Sequence, residues 1–507
     1  MSVVLPSAED PVVRGATQTV GGPPGRHALL GERRFWTPLR WLVLLTLVAS
    51  LFGWWQKSPC RVQPWADQYQ YTRGCYTDVF ALYFAERLNE GKAPYVEHPV
   101  EYPVVIGAAM QVAATVVEVL PESRRPRHFY DVTWAILTAC ALVVVVTTAK
   151  LAGRRPWDAA IFAAAPLLVL HGTTNWDLVA MALAGTGLLL WARRRPLAAG
   201  VLLGIATATK LYPVLFLVPL LALCWRAGRL RVFALTAGAL VVTPVLVSLP
   251  FYLVSPVFAD VGGTQTQIAG SPVDRFGEQG LAALSPHHTV GGVTGVNSAY
   301  RFFELNTTRP ADWDSVWYVL QTARGQALDP PGETPSTLNV LVALSFLLCL
   351  AGIVALIRLA PRRPRLAQVL FLTVLAFLLT NKVWSPQFSL WLLPLAALAR
   401  PHWRSLLAWQ AAEALVLLTR FYFFVGNGSP GDGIDVDWFI GALAVRDAAL
   451  VVVAALVVRD VLQPDRDRVR ADGTDDPMGG VLDGAPDRVR DPDPDRDPDP
   501  DRDPVRA

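Results

Sequence analysis

In this chain of 507 residues, a small set of ionisable side chains is closely flanked by apolar sequence. It comprises Asp78, Glu97, His98 and Glu101, His171 and Asp177 in HGTTNWD, Lys210 in TATKLYP, Lys382 in TNKVWSPQ, and Arg420 in LTRFY. A carboxylate or imidazole within hydrogen-bond reach of a hydroxyl can take its proton. A lysine in a low-dielectric cavity can stabilise a developing anion. Ionisable groups are costly in hydrocarbon, so such residues tend to face a cavity or a partner. Each also has a plain structural reading. Asp78 follows Thr77, a good helix N-cap, and an acid in the first turn is favoured by the helix dipole whether or not it does chemistry. Lys210 and Lys382 can be read as interfacial lysines that snorkel. Lysine is scarce here, however: five among 45 basic residues, two of them between apolar runs just ahead of Pro213 and Pro386. That placement favours a cavity. His287 and His288, in SPHHTVGG, read as surface loop residues or as alternative bases.

The elements that must position these groups are apolar. The chain is 52% hydrophobic and 17% charged, with mean hydropathy +0.35, the composition of an all-α polytopic membrane protein. Its net charge of +3 and the absence of basic–aromatic interleaving argue against a nucleic-acid partner. The cysteines show no metal spacing, and no stretch suggests a nucleotide loop, haem or flavin, so neither a metal nor a cofactor is expected. Cys60 and Cys75 share one loop, where a disulfide fits an oxidising compartment. Residues 1–40 read as a disordered cytoplasmic N-terminus without a cleavable signal, and 459–507 as a disordered Asp/Pro/Arg-rich cytoplasmic tail.

Thirteen apolar runs lie between residues 41 and 458. From Arg154 onward, arginine clusters recur after every second run, which sets them on the cytoplasmic side together with both termini. This pattern holds if the run 103–120 does not cross, leaving about twelve transmembrane helices in a domain spanning 41–458. The runs 196–209 and 211–225 are short for the ~20 residues of a full span and read as helices meeting at an internal cavity. Residues 56–130 then form one large helical external loop, and 254–336 a second. The ionisable set converges on that outer face of the plasma membrane.

The stretches YTDVFALYFAERLNEGKAPY, EYPVV, NWDLVAMAL, GIATATKLYPVLFLVPLL and NKVWSPQFSLWLLPL together resemble glycosyltransferase family 87, of the GT-C superfamily, over about residues 41–458. This group includes polyprenol-phosphate-mannose-dependent mannosyltransferases of actinobacteria. The resemblance implies an inverting hexosyltransferase with a polyprenyl-phosphate sugar donor, a glycolipid or glycan acceptor and a GT-C-like bundle. It implies Asp78 as the base, with His171, His287 or His288 as alternatives because a histidine serves in some relatives. Glu101 and Tyr102 of EYPVV, with His171, Asp177, Lys210 and Lys382, would bind substrate. A transporter or flippase of lipid-linked glycans is the rival class. Such proteins commonly show two matching halves, and no internal repeat is visible here.

Overall fold

The computed structural model describes residues 36–61, 65–428, 431–473 and 475–489. The expectations for the first 35 residues and for 490–507 lie outside the described residues. Among the described residues, six segments are long and apolar enough to cross a membrane: Pro38–Arg61, Glu122–Leu151, Leu230–Val254, Ser336–Leu359, Trp403–Gly428 and Val436–Leu462. Six shorter apolar segments, Val104–Val117, Asp177–Ala192, Pro196–Thr209, Tyr212–Arg226, Leu366–Thr380 and Pro386–Ala399, fill in around them. The two groups are buried differently. Leu230–Val254 buries only Thr236 and Leu240 and leaves Val241, Val245 and Leu246 more than half exposed, a surface suited to lipid. Leu366–Thr380 instead buries eleven of its fifteen residues, so its 3.6-residue periodicity is apolar all round.

The run 103–120 becomes the helix Val104–Val117, fourteen residues and hence about 21 Å long, well short of a ~30 Å hydrocarbon core. Its entry is locked by Tyr95. That residue sits at a positive φ of 69°, and its hydroxyl is 2.9 Å from the carbonyl oxygens of Tyr102 and Pro103. The ring lies over Gly107, where a Cβ would come within 2.3 Å of it, so only glycine fits. Ahead of this helix, Asp78–Ala85 packs on the long helix Arg125–Leu151 through Tyr83 and Phe129, whose rings are 4.5 Å apart. Cys60 and Cys75 are disulfide-bonded, with Cα atoms 5.6 Å apart, tying the end of the first long helix to the approach to Asp78.

The second large loop departs from an all-helical reading. It contains a four-stranded antiparallel sheet in the order β2-β1-β4-β3, with β1 Val257–Val261, β2 Thr264–Ala269, β3 His287–Val290 and β4 Val293–Asn297. Both hairpins turn on a Gly-Gly pair with positive φ, Gly262–Gly263 and Gly291–Gly292, as two-residue turns that match strand twist require.

The tail also departs from expectation. Residues 463–489, read from composition as disordered, pack against the bundle as far as they are described. Asp467 takes both Arg365 Nε (2.6 Å) and Nη2 (3.0 Å), and Asp487 takes Arg226 Nε (2.6 Å) and Nη2 (2.7 Å). Met478 and Leu482 are each about 1% exposed. The physical reason is charge. Arg365 and Arg226 are buried at helix ends, and a buried guanidinium needs a paired carboxylate. Arg365 begins the helix that ends at Thr380, so this clamp lies at the opposite end of the bundle from Lys382.

Cysteine placed at Lys92 or at Arg124 should be labelled by an impermeant reagent applied outside intact cells. Labelling at position 124 only after the cytoplasm is exposed would mean that the segment Val104–Val117 crosses.

Candidate functional site

Thr77 is extended (φ −150°, ψ 131°) and caps the helix Asp78–Ala85, its Oγ1 accepting from the Val79 amide at 3.3 Å. The same hydroxyl donates to the Thr173 carbonyl at 2.7 Å, and the Asp78 amide donates to the Thr174 carbonyl at 2.9 Å. The first turn of this helix is thereby joined to the turn that starts the helix Asp177–Ala192. Asp78 projects its carboxylate from this junction. Oδ1 accepts from the Tyr76 hydroxyl at 2.7 Å and Oδ2 from Asn175 Nδ2 at 2.8 Å. Asn175 Nδ2 also donates to the Tyr102 hydroxyl at 2.7 Å, and Lys57 Nζ holds the Tyr76 carbonyl at 2.7 Å. Burial raises the Asp78 carboxyl above its ordinary value, while the hydrogen bonds from Asn175 and Tyr76 pull it back. The charge on Asp78, reinforced by burial, pushes the Tyr76 phenol far up, so Tyr76 stays a donor.

Asp78 lines a cavity of about 660 Å³, together with Glu101, Tyr102, His171, Arg309 and Arg420. A smaller cavity of about 110 Å³ adjoins it, and Glu101, Tyr102, Arg309 and Gln387 line both. The smaller one is walled by Leu211, Phe302, Leu305 and Phe377 and carries Lys210. Lys210 Nζ is 3.5 Å from Asp177 Oδ2 and lies over the Tyr102 ring at 4.8 Å. Asp177 is fully buried behind it, with Oδ1 accepting from Trp391 Nε1 at 2.8 Å. Arg309 donates to Glu101 Oε2 at 2.6 Å and remains 43% exposed at its side chain. Arg420 is anchored on buried Asp314 at 3.0 Å.

Asp78, Glu101, Tyr102 and His171 therefore share one cavity, and Lys210 reaches the adjoining one. Asp177 sits behind Lys210 as its counter-ion. Lys382 lines neither cavity: its Nζ donates to the carbonyls of Arg309 (2.7 Å) and Thr307 (3.2 Å), so its charge holds the segment that carries Arg309. His287 and His288 lie on β3, away from both cavities. His287 is 3.5 Å from Glu304, and His288 contacts the Arg275 guanidinium. Of the three alternative bases only His171 faces Asp78's cavity, with Nε2 lacking a hydrogen-bond partner among the described residues. Tyr76, Asn175, Arg309 and Lys57 were not singled out by sequence. Tyr76 and Asn175 stand two residues from the acids Asp78 and Asp177, and Lys57 was one of the five lysines, whereas Arg309 in NTTRPAD carries no local signal. Among the described residues, no three His, Cys, Asp or Glu side chains are placed to hold a metal ion. The arrangement can take a proton at Asp78 and stabilise an anion near Arg309 and Lys210.

The sequence model of glycosyltransferase family 87 matches residues 102–386, more than half of the chain. The match contains Tyr102, His171, Asn175, Asp177, Lys210, Arg309 and Lys382, and begins after Asp78. No curated protein matches the chain.

Two expectations follow for sugar transfer by the purified protein. Tyr76→Phe removes a hydrogen bond that favours the charged form of Asp78, so the acidic limb of the pH–rate profile should move to higher pH. At alkaline pH the rate should approach wild type. Lys210→Met and Lys382→Met should separate. The first should raise the donor KM and lower kcat, while the second should chiefly lower the melting temperature, because it leaves two backbone carbonyls without their donor.

Proposed function

We propose that this chain, which belongs to glycosyltransferase family 87, moves a hexose, specifically mannose, from a polyprenyl-phosphate donor to a cell-envelope glycolipid or glycan. Its being a glycosyltransferase rests on the family. The donor and acceptor classes are those the resemblance to that family implies, and the catalytic roles are proposed from the geometry of the site. The observation that carries this reading is a carboxylate, Asp78, held by two neutral donors in a cavity that also presents the half-exposed guanidinium of Arg309.

In this reaction Asp78 accepts the proton of an acceptor hydroxyl as that oxygen attacks the anomeric carbon. The carbon–oxygen bond to phosphate breaks, its electron pair leaves with the lipid phosphate, and the configuration inverts. Arg309 and Lys210 stabilise the charge on the departing phosphate. The adjoining cavity combines an apolar wall with these cations, the complement of a phosphate attached to a prenyl chain. Nothing in this scheme requires a general acid, because a phosphate monoester is a competent leaving group. The site faces outward, with the arginine clusters and both termini on the cytoplasmic side of the plasma membrane. The exposed apolar faces of Leu230–Val254 and Ser336–Leu359 support residence in lipid.

A membrane transfer assay with labelled polyprenyl-phosphate-hexose tests this directly. Thr77, not Asp78, is the helix cap, so Asp78→Asn should preserve folding. It should lower turnover by at least about 10²-fold. Wild-type turnover in a well-folded Asp78→Asn protein would move the base to His171. A wild-type protein that carries labelled lipid across the bilayer without forming product would favour the flippase class instead.

A further inference from the structure

A separate cavity of about 450 Å³ begins at the far end of the helix that carries Asp78. Asp78 opens that helix and Glu86 caps its other end, eight residues and therefore about 12 Å along the axis. The cavity is built from three parts of the chain. Phe84, Glu86 and Arg87 come from the helix end, His98 and Glu101 from the returning segment, and Gln265 and Arg301 from the second loop. The β1–β2 hairpin turn brings Gly263, Thr264 and Gln265 to its rim.

Its chemistry differs from that of the neighbouring cavities. Phe84 is 44% exposed although it belongs to an aromatic cluster with Phe80 and Tyr83. Around it stand planar polar groups that are already oriented. Arg301 Nη1 donates to Gln265 Oε1 at 3.0 Å, and Glu86 Oε1 accepts from the Glu101 amide at 3.3 Å. Glu86 and His98 are both more than nine-tenths buried and 3.6 Å apart. Burial pushes the Glu86 carboxyl up to about 8 and pulls His98 below its usual value. Burial thus favours the uncharged forms of both groups, which together supply donors and acceptors. A flat apolar ring ringed by neutral and fixed planar hydrogen-bonding groups suits a ligand with one C–H face and a rim of hydroxyls. A prenyl chain has no use for that rim.

Glu101 connects this cavity to the reaction. It lines the Asp78 cavity, the lipid-type cavity and this one. We propose that the Phe84–Glu86–His98–Arg301 cavity is a carbohydrate subsite, which holds the sugar units of a glycan acceptor beyond the one presented to Asp78. This inference rests on the transfer reading above and adds to it a preference for acceptors of more than one sugar.

The test uses the full chain in detergent and soluble manno-oligosaccharides of one to four units, with binding measured by calorimetry. Affinity should rise with length. Phe84→Ala should weaken the four-unit ligand by about tenfold and leave the single sugar unchanged. Gln265→Ala, on strand β2 next to the hairpin turn and away from the helix of Phe84, should act in the same direction and guards against a folding defect in the first variant. Length-independent binding, or wild-type affinity in both variants, would overturn the subsite. The transfer assay separates the two readings. Transfer from polyprenyl-phosphate-hexose with an acceptor KM unaffected by either variant sinks the subsite alone. Length-dependent binding without transfer sinks the donor reading alone.

Discussion

The junction between Thr77–Asp78 and Thr173–Asn175 is the constraint on which the site depends. A helix of eight residues has little stability of its own. This one keeps its place because its cap hydroxyl and first amide are satisfied by carbonyls of another segment. The same contact brings Asn175 onto the Asp78 carboxylate, and Asn175 brings Tyr102. Tyr102 in turn lies under Lys210. A capping arrangement thus extends, contact by contact, from the Asp78 carboxylate to the Lys210 ammonium. Moving the helix start by one residue would break each link.

Charge is handled in two ways along the bundle. Near the cavities charged groups keep one side available: Arg309 is paired yet half exposed, and the Asp78 carboxylate accepts from the neutral donors Tyr76 and Asn175. At the opposite end Arg365 and Arg226 are each held by a bidentate carboxylate and by backbone carbonyls, those of Leu398 and Ala399 for Arg365 and that of Ile357 for Arg226. Buried groups that remain incompletely satisfied are where reactivity is expected. Fully satisfied ones hold structure.

Much of this was legible in the sequence, for identifiable reasons. Apolar runs broken by arginine clusters reveal helices because lipid allows few alternatives. Asp78 was legible because Thr77 marks a helix start. Lys382 was misread because a buried cation before a proline looks the same whether it meets a phosphate or two peptide carbonyls. Arg309 was invisible, since its role depends on Glu101, some two hundred residues away. The sheet was overlooked although Gly262–Gly263 and Gly291–Gly292, each followed by β-branched residues, carry the signature of tight hairpins. The tail was misjudged because its average composition hides the positions that matter: Asp467, Asp487, Met478 and Leu482 are spaced to meet particular partners.

That packed tail segment bears on the order of biosynthesis. Every helix of the bundle leaves the ribosome before Asp467 and Asp487 do. During insertion, Arg365 and Arg226 must wait at the membrane boundary without the carboxylates that later neutralise them. An unpaired guanidinium taken into the protein interior costs about 3–5 kcal/mol, so those two helix ends have reason to remain hydrated until the tail arrives. Final closure of the bundle is therefore deferred until the segment that carries Asp467 and Asp487 has been made. Asp467 and Asp487 then act as a fastener across helix ends that are already in place.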